Sequence, residues 1–272
     1  MKRVQFEETH PFPDKSGVDR LYKFKRLDTE RPECLSSILI DARLYHPLPN
    51  ELNDPWEAQA AILPPSTAGG AVAARARLKR EARLGGHPRD QLNKYATGLL
   101  GNRKRFAEIL LEAFNQDQAR FRLCSFSAVL DNKLLWSHYG ESHQGIAIEF
   151  DAQASPLSFA YKVKYSDEYP TMEYPFTNYE ILSSVLIKSK DWNYEKEFRS
   201  IIVLDSETQF PNDGQSAILG PQAITGIYFG ARIPAAEKDQ ITQMVLDGPF
   251  TPRMFQARPS RTTYAIEYDE IA

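Results

Sequence analysis

The sequence predicts an α+β fold, a single mixed domain with a central, mostly antiparallel sheet and flanking helices. Three observations carry this prediction. Period-two apolar runs and helical-period runs are interspersed without the steady strand–helix–strand alternation of a parallel sheet. No internal repeat divides the chain. At 272 residues with ordinary hydrophobic and charged fractions, the chain is long enough to bury one substantial core.

Residues 1–19 are polar and contain prolines, and read as a loosely ordered lead-in to a domain over 20–272. Arg20–Phe24 is a short aromatic-rich strand. Leu35, Ile38 and Leu39 recur at helical spacing and predict a short helix within Glu33–Arg43, before a second strand at Arg43–His46. Pro47, Pro49 and Pro55 forbid a regular ladder in the next stretch, which reads as a loop with turn chemistry at Asn53-Asp54-Pro55.

Residues 64–70 read as a flexible link into an Ala/Arg-rich insert at about 64–90. Its helix, Ala71–Leu84, has a basic face (Arg75, Arg77, Lys79, Arg80, Arg83) and ends at Gly85-Gly86-His87-Pro88. Solvation is the common reason for such a face, and an anion or nucleic-acid contact is the alternative. A further helix spans Lys104–Gln116. Arg122–Ser127, Gly145–Asp151 and Lys162–Ser166 read as strands, Lys133–Gly140 as a short helix, and Thr177–Lys188 as a helix. A strand at Ile224–Phe229, a helix at Pro234–Leu246 and a last strand at Thr262–Tyr268 complete the prediction.

The net charge of -3 provides no overall basic field for nucleic acid, although local basic patches stay open. Cys34 and Cys124 are too few for a disulfide framework or a cysteine-rich zinc site, and no metal is expected. The N-terminus lacks an apolar leader and no window reaches the length of a membrane span, so a soluble cytoplasmic protein is expected, with no membrane partner.

The stretch with most chemistry is Trp192-Asn193-Tyr194-Glu195-Lys196-Glu197-Phe198-Arg199, which runs into Ile201-Ile202-Val203. A strand beginning near Tyr194 would put Glu195, Glu197 and Arg199 on one face and Lys196, Phe198 and Ser200 on the other. A helix end would instead pair Glu195 with Arg199 at the surface. Asn53, Asp54 and Glu57 place two acids and an amide in a loop, or serve a structural turn. His138 and His143 are five apart, which does not suit a shared helix face or zinc. Ser125 and Ser127 share a strand face outside any Gly-x-Ser-x-Gly elbow. Lys188 and Trp192 offer an anion contact and a stacking surface. Phosphate-cradling and dinucleotide-binding glycine fingerprints are missing.

Two resemblances follow from these residues. Leu21-Tyr22-Lys23-Phe24, Leu44-Tyr45-His46, Asn53 to Glu57, Leu135 to Gly140, His143-Gln144-Gly145, Glu149-Phe150, and Lys188 with Trp192 to Arg199 resemble the bacterial domain-of-unknown-function family 2971, over roughly residues 20–230. That resemblance implies little mechanism beyond a role in phage defence or toxin systems, and the 64–90 insert is not part of it. The order Tyr22-Lys23-Phe24 (or Arg43), Ser125-Phe126-Ser127, Glu195-Lys196-Glu197 also resembles the arginine, Ser-x-Ser, Glu-x-Glu class of ADP-ribosyltransferases. It implies NAD as substrate, Glu197 as the catalytic acid, Glu195 orienting the acceptor, the serines ordering the site, and a basic residue on the phosphates. Lys23 stands where that class has arginine, unless Arg20 or Arg43 serves, and the segment between Ser127 and Glu195 is long.

The candidate catalytic set is therefore Glu197, Glu195, Arg199 and His138. The candidate ligand-binding set is Tyr22, Lys23, Asn53, Asp54, Glu57, Ser125, Ser127, Trp136, Tyr139, His143, Lys188 and Trp192. The partners implied are an NAD-like nucleotide and a macromolecular acceptor, protein or nucleic acid. Two alternatives stay open. One is a non-catalytic nucleotide or nucleic-acid sensing module in which Trp136, Tyr139 and Trp192 stack a base and the Arg75 to Arg83 helix meets phosphates. The other is a metal-dependent nuclease or hydrolase using Asp54, Glu57 and Glu195.

Overall fold

A computed structural model of the protein describes residues 1–27, 33–204 and 209–271. In chain order the elements are α1 (Arg3–Thr9), β1 (Arg20–Lys25), α2 (Glu33–Leu39), β2 (Arg43–Tyr45), β3 (Ala61–Leu63), α3 (Ala68–Leu84), α4 (Leu92–Gly101) and α5 (Arg103–Gln118). They continue through β4 (Phe121–Ser127), α6 (Lys133–His138), β5 (Ile146–Asp151), β6 (Tyr161–Lys162), β7 (Lys164–Ser166), β8 (Thr171–Glu173), α7 (Asn178–Ser184) and β9 (Ile187–Ser189). Last come β10 (Glu197–Val203), β11 (Ser216–Ile218), β12 (Ile224–Phe229), α8 (Ala235–Asp247), β13 (Arg253–Pro259) and β14 (Ile266–Ile271).

Eight of these strands form one sheet in the order β14-β13-β12-β5-β1-β4-β10-β6. β12 and β13 run parallel and the other neighbours antiparallel, which makes an α+β domain of the expected kind. Short two-stranded ladders, β2 with β11, β3 with β8 and β7 with β9, attach loops to it. The main core lies where Leu21, Phe150, Phe198 and Ile202 meet Leu35, Ile38 and Leu39 of α2 and Ile241 and Val245 of α8. A second cluster on β4 and β10 joins Leu123 and Ile201 to Ile181, Val185 and Leu186. β10 is thus covered on both faces, and its polar residues Glu197, Arg199 and Ser200 are buried.

Several sequence expectations need correction. The N-terminal lead-in is not loose: α1 buries Phe6 against Tyr161 and Tyr179, with ring centroids 5.3 Å apart in both pairs. His10 is also buried, its ring nitrogens 2.9 Å from Lys162 O and 2.9 Å from Ser183 Oγ. Part of the link at 64–70 is likewise held, because Ser66 donates to Glu173 from both its backbone and its hydroxyl (2.8 and 2.6 Å) and Thr67 caps α3. The insert packs through Ala74 and Leu78 onto Phe106, Leu110, Phe114 and Met172, around a small core of its own.

The helix expected to reach Lys188 stops at Ser184, and Lys188 stands in β9. The last strand is Ile266–Ile271 rather than Thr262–Tyr268, and it pairs with β13, which the sequence reading missed. No helix among the described residues is long and apolar enough to cross a membrane.

Candidate functional site

The central stretch does not start its strand at Tyr194. Ser189 accepts from the Asp191 amide and begins a 3₁₀ helix, Lys190–Glu195, and Lys196 then takes a left-handed backbone conformation (φ 48°). β10 starts only at Glu197. It pairs with β4 in a register that sets Glu197 opposite Ser127 and Arg199 opposite Ser125. Glu197 and Arg199 do share a strand face, as period two requires, but Glu195 reaches the same place from the turn. The Ser127 hydroxyl, 2.5 Å from the Glu195 carbonyl, helps hold that turn.

The result is a buried cluster of three carboxylates and two cations. Lys188 Nζ lies 2.7 Å from Glu57 Oε1, 2.7 Å from Glu195 Oε2 and 3.2 Å from Glu197 Oε2. Arg199 donates through Nε to Glu197 Oε1 (2.6 Å), through Nη1 to Val185 O (2.8 Å), and through Nη2 to both Glu57 and Glu197. The Glu57 contact to Lys188 is an ion pair without hydrogen-bond geometry, so Glu57 Oε1 is buried with charge compensation but no donor. A surface Glu195–Arg199 pair is therefore excluded, since both residues are buried.

The five charges sum to −1, and the carboxylates respond differently. Burial pushes Glu197 upward, but Arg199 and Lys188 outweigh burial and hold it down at about 2. Glu195 is raised: burial is the largest influence and Glu197 adds to it, against Lys188 and the hydrogen bonds from Lys188 and Tyr139. Burial also lowers Lys188, yet Glu197, Glu57 and Glu195 together keep it above the usual lysine range. Glu195 is thus the member suited to exchange a proton, while Glu197 stays ionised as a counterion.

Two cavities flank this cluster, and Asn53, Glu57 and Lys188 line both. The first, of about 380 Å³, is lined by Tyr22 and Lys23 of β1, Ser125 and Ser127 of β4, Tyr139, Glu195 and Glu197. Tyr139 donates to Glu195 Oε1 (2.7 Å) and accepts from Asn53 Nδ2 (3.2 Å), so the loop and the turn meet at that hydroxyl. Lys23 Nζ donates to Ser125 O (3.0 Å). The second cavity, of about 520 Å³, carries Asp54, Trp56 and Trp192. Trp192 Nε1 donates to Asp54 Oδ2 (2.8 Å), and Lys188 Nζ sits 4.8 Å from the Trp192 ring centroid. The Asn53–Glu57 loop and the Glu195–Arg199 stretch therefore share one region.

Three predicted residues stand apart. His138 is exposed and lines neither cavity. Trp136 is fully buried and donates to Leu130 O and Tyr268 Oη, so it has no free face on which a base could stack. His143 stacks on Trp136 (6.1 Å, 8° between planes) and opens on a different cavity. Sequence reasoning missed Tyr165, whose hydroxyl accepts from the Glu197 amide at 2.8 Å. Its place in an ordinary short strand carried no signal. Among the described residues no cluster of three or more His, Cys, Asp or Glu is arranged to hold a metal ion, and Glu57, Glu195 and Glu197 converge on Lys188 instead.

The fold and site define an α+β protein with a buried ion cluster between two cavities. A model of the family described as protein of unknown function (DUF2971) matches residues 135–200, which span Tyr139, Lys188, Trp192, Glu195, Glu197 and Arg199 but not the Asn53–Glu57 loop. No curated protein and no solved structure matches the chain.

Proposed function

We propose that this protein is an enzyme that acts at the glycosidic centre of an NAD-like nucleotide, in the manner of an ADP-ribosyltransferase. One observation supports this most: Tyr22-Lys23, Ser125-Phe126-Ser127 and both glutamates of Glu195-Lys196-Glu197 lie on adjacent strands or their ends and line one cavity. At about 380 Å³ the cavity falls in the range of small-molecule sites, about 300–1,000 Å³.

In this reading the bond between the ribose and nicotinamide breaks, nicotinamide leaves with the bonding electrons, and positive charge develops on the sugar carbon. Glu195, when ionised, stabilises that charge and takes the proton of the incoming nucleophile. This reassigns the chemistry from Glu197, which takes three hydrogen bonds from Arg199 and Lys188, to Glu195, which takes one on each oxygen and none from Arg199. Glu197 and Arg199 become positioning residues that fix Lys188. Lys23 has hydrogen-bonding capacity left beyond its bond to Ser125 and suits a nucleotide phosphate. A toxin or phage-defence role, with a macromolecular acceptor in a cytoplasm where NAD is at hand, completes the proposal and rests on the family resemblance alone.

The second reading, a non-catalytic nucleotide-binding module, is favoured by one feature: the ion cluster pairs its charges internally, as a wall of a binding site would. NAD labelled in its nicotinamide distinguishes the two. Wild type should release nicotinamide, and Glu195→Gln should lose at least about a hundredfold in rate while NAD still raises its melting temperature. A melting shift with no release by wild type would favour the binding module. Neither release nor shift would overturn both.

A further inference from the structure

The third large cavity, about 700 Å³, lies away from the site above, where the β13–β14 hairpin meets the end of β12 and the start of α6. Among the described residues its charged lining is all cationic: Lys133, Arg232, Arg258 and Arg261, with His143 beside them and no aspartate or glutamate. In a chain of net charge -3 this is a local reversal of sign.

The cations are not equivalent. Arg258 is compensated by Glu267 and Asp269 across the hairpin. Lys133 Nζ gives one hydrogen bond to Tyr264 O (2.6 Å), which ties the hairpin loop to α6 and leaves donors to spare. The side chains of Arg232 and Arg261 are exposed and, among the described residues, have no hydrogen bond or ion pair. The cavity wall is firmly built, since Arg232 N donates to His143 O (2.8 Å) and His143 stacks on the buried Trp136. At the rim Tyr264 is 96% exposed, beside the hydroxyls of Thr262 and Thr263.

Exposed guanidinium groups lining the same cavity as a fully presented aromatic ring form the pairing that single strands use, cations for phosphates and a ring for a base. We propose that this cavity binds the phosphodiester backbone of single-stranded nucleic acid, with one base stacked on Tyr264. The cations come from α6, the turn after β12 and the β13–β14 hairpin, and a cavity of about 700 Å³ has room for more than one phosphate group, which suits a strand.

Fluorescence anisotropy with a labelled oligothymidylate tests this without NAD, so the outcome is independent of the enzymatic reading. At low salt, saturable binding is expected. Arg232→Gln with Arg261→Gln should weaken it at least about tenfold and reduce the salt slope by about 1.4, as two phosphate contacts on a single strand require. Tyr264→Ala should weaken it by about tenfold and Tyr264→Phe should not. All three positions are exposed, so an unchanged melting temperature verifies the fold of each variant. Absence of saturable binding, or equal affinity in the double arginine variant, would overturn the proposal. So would a mononucleotide that competes as well as the oligomer, which would assign the cavity to a small phosphate compound.

Discussion

Glu195 and Glu197 share the ammonium of Lys188, at 2.7 and 3.2 Å, yet their acidities are driven in opposite directions. The difference is Arg199, which grips Glu197 through two nitrogens and does not reach Glu195. One carboxylate is locked as an anion, and the other can carry a proton.

Arg199→Met leaves Glu57 and Glu197 buried without their guanidinium. A broken buried pair costs about 3–5 kcal/mol, so thermal melting should fall steeply. Arg199→Lys should recover little, because a single ammonium nitrogen lacks the separated donors of the planar fork that span Glu57, Glu197 and Val185 O. An unchanged melting temperature in either variant would contradict the role given to Arg199.

Tyr139→Phe removes the hydroxyl that donates to Glu195 Oε1. That bond lowers the Glu195 pKa, so its loss should raise it and move the acidic limb of nicotinamide release to higher pH. The stability cost should be only about 1 kcal/mol, typical of one hydrogen bond. A pH–rate profile with an unmoved limb would separate Tyr139 from Glu195.

His10 and His46 are buried as neutral imidazoles, each lowered from 6.5 to about 4, mainly by burial. The unfolded chain takes up these protons first. Stability from each histidine is therefore complete above about 6.5 and is lost as pH falls toward about 4. Between pH 7 and pH 5 the loss should be about 2 kcal/mol per histidine. Urea unfolding at the two pH values measures it, and His46→Asn should flatten the dependence.

Gly230→Ala would put a Cβ 2.2 Å from His143 O and 2.8 Å from Gly145 O. Both are backbone atoms of the loop in which Glu141, Ser142 and His143 hold positive φ, so the loop cannot yield without losing its own turn. A loss of about 1–3 kcal/mol or more is expected. A urea midpoint equal to wild type would show that the loop has slack.

Local pattern made much of the fold legible. Ile146 to Asp151 and Ile224 to Phe229 fall where alternation put strands, and Phe106, Leu110 and Phe114 face inward at helical spacing. The misses were segments whose partners are distant. β13 gains its strand character from β12 and β14, and α1 is held by Phe6 among residues more than 150 positions away. The period of two correctly grouped Glu197 with Arg199. It failed at Glu195, because Lys196 turns the chain in a left-handed conformation that no local rule demanded of a lysine.

By itself the sequence determined the chemistry in hand: the acids at Glu57, Glu195 and Glu197, the cations at Lys188 and Arg199, and the strand and helix periods that embed them. Tertiary structure alone decided that the Asn53–Glu57 loop closes on the Glu195 turn, and that Arg199 chooses Glu197 over Glu195. It also gathered Lys133, Arg232, Arg258 and Arg261 around one cavity with Tyr264. Periodicity reports which face a residue occupies on its own element. Acidity and pairing depend instead on burial and on charges a few ångströms away, which here come from segments up to 142 residues apart in the chain.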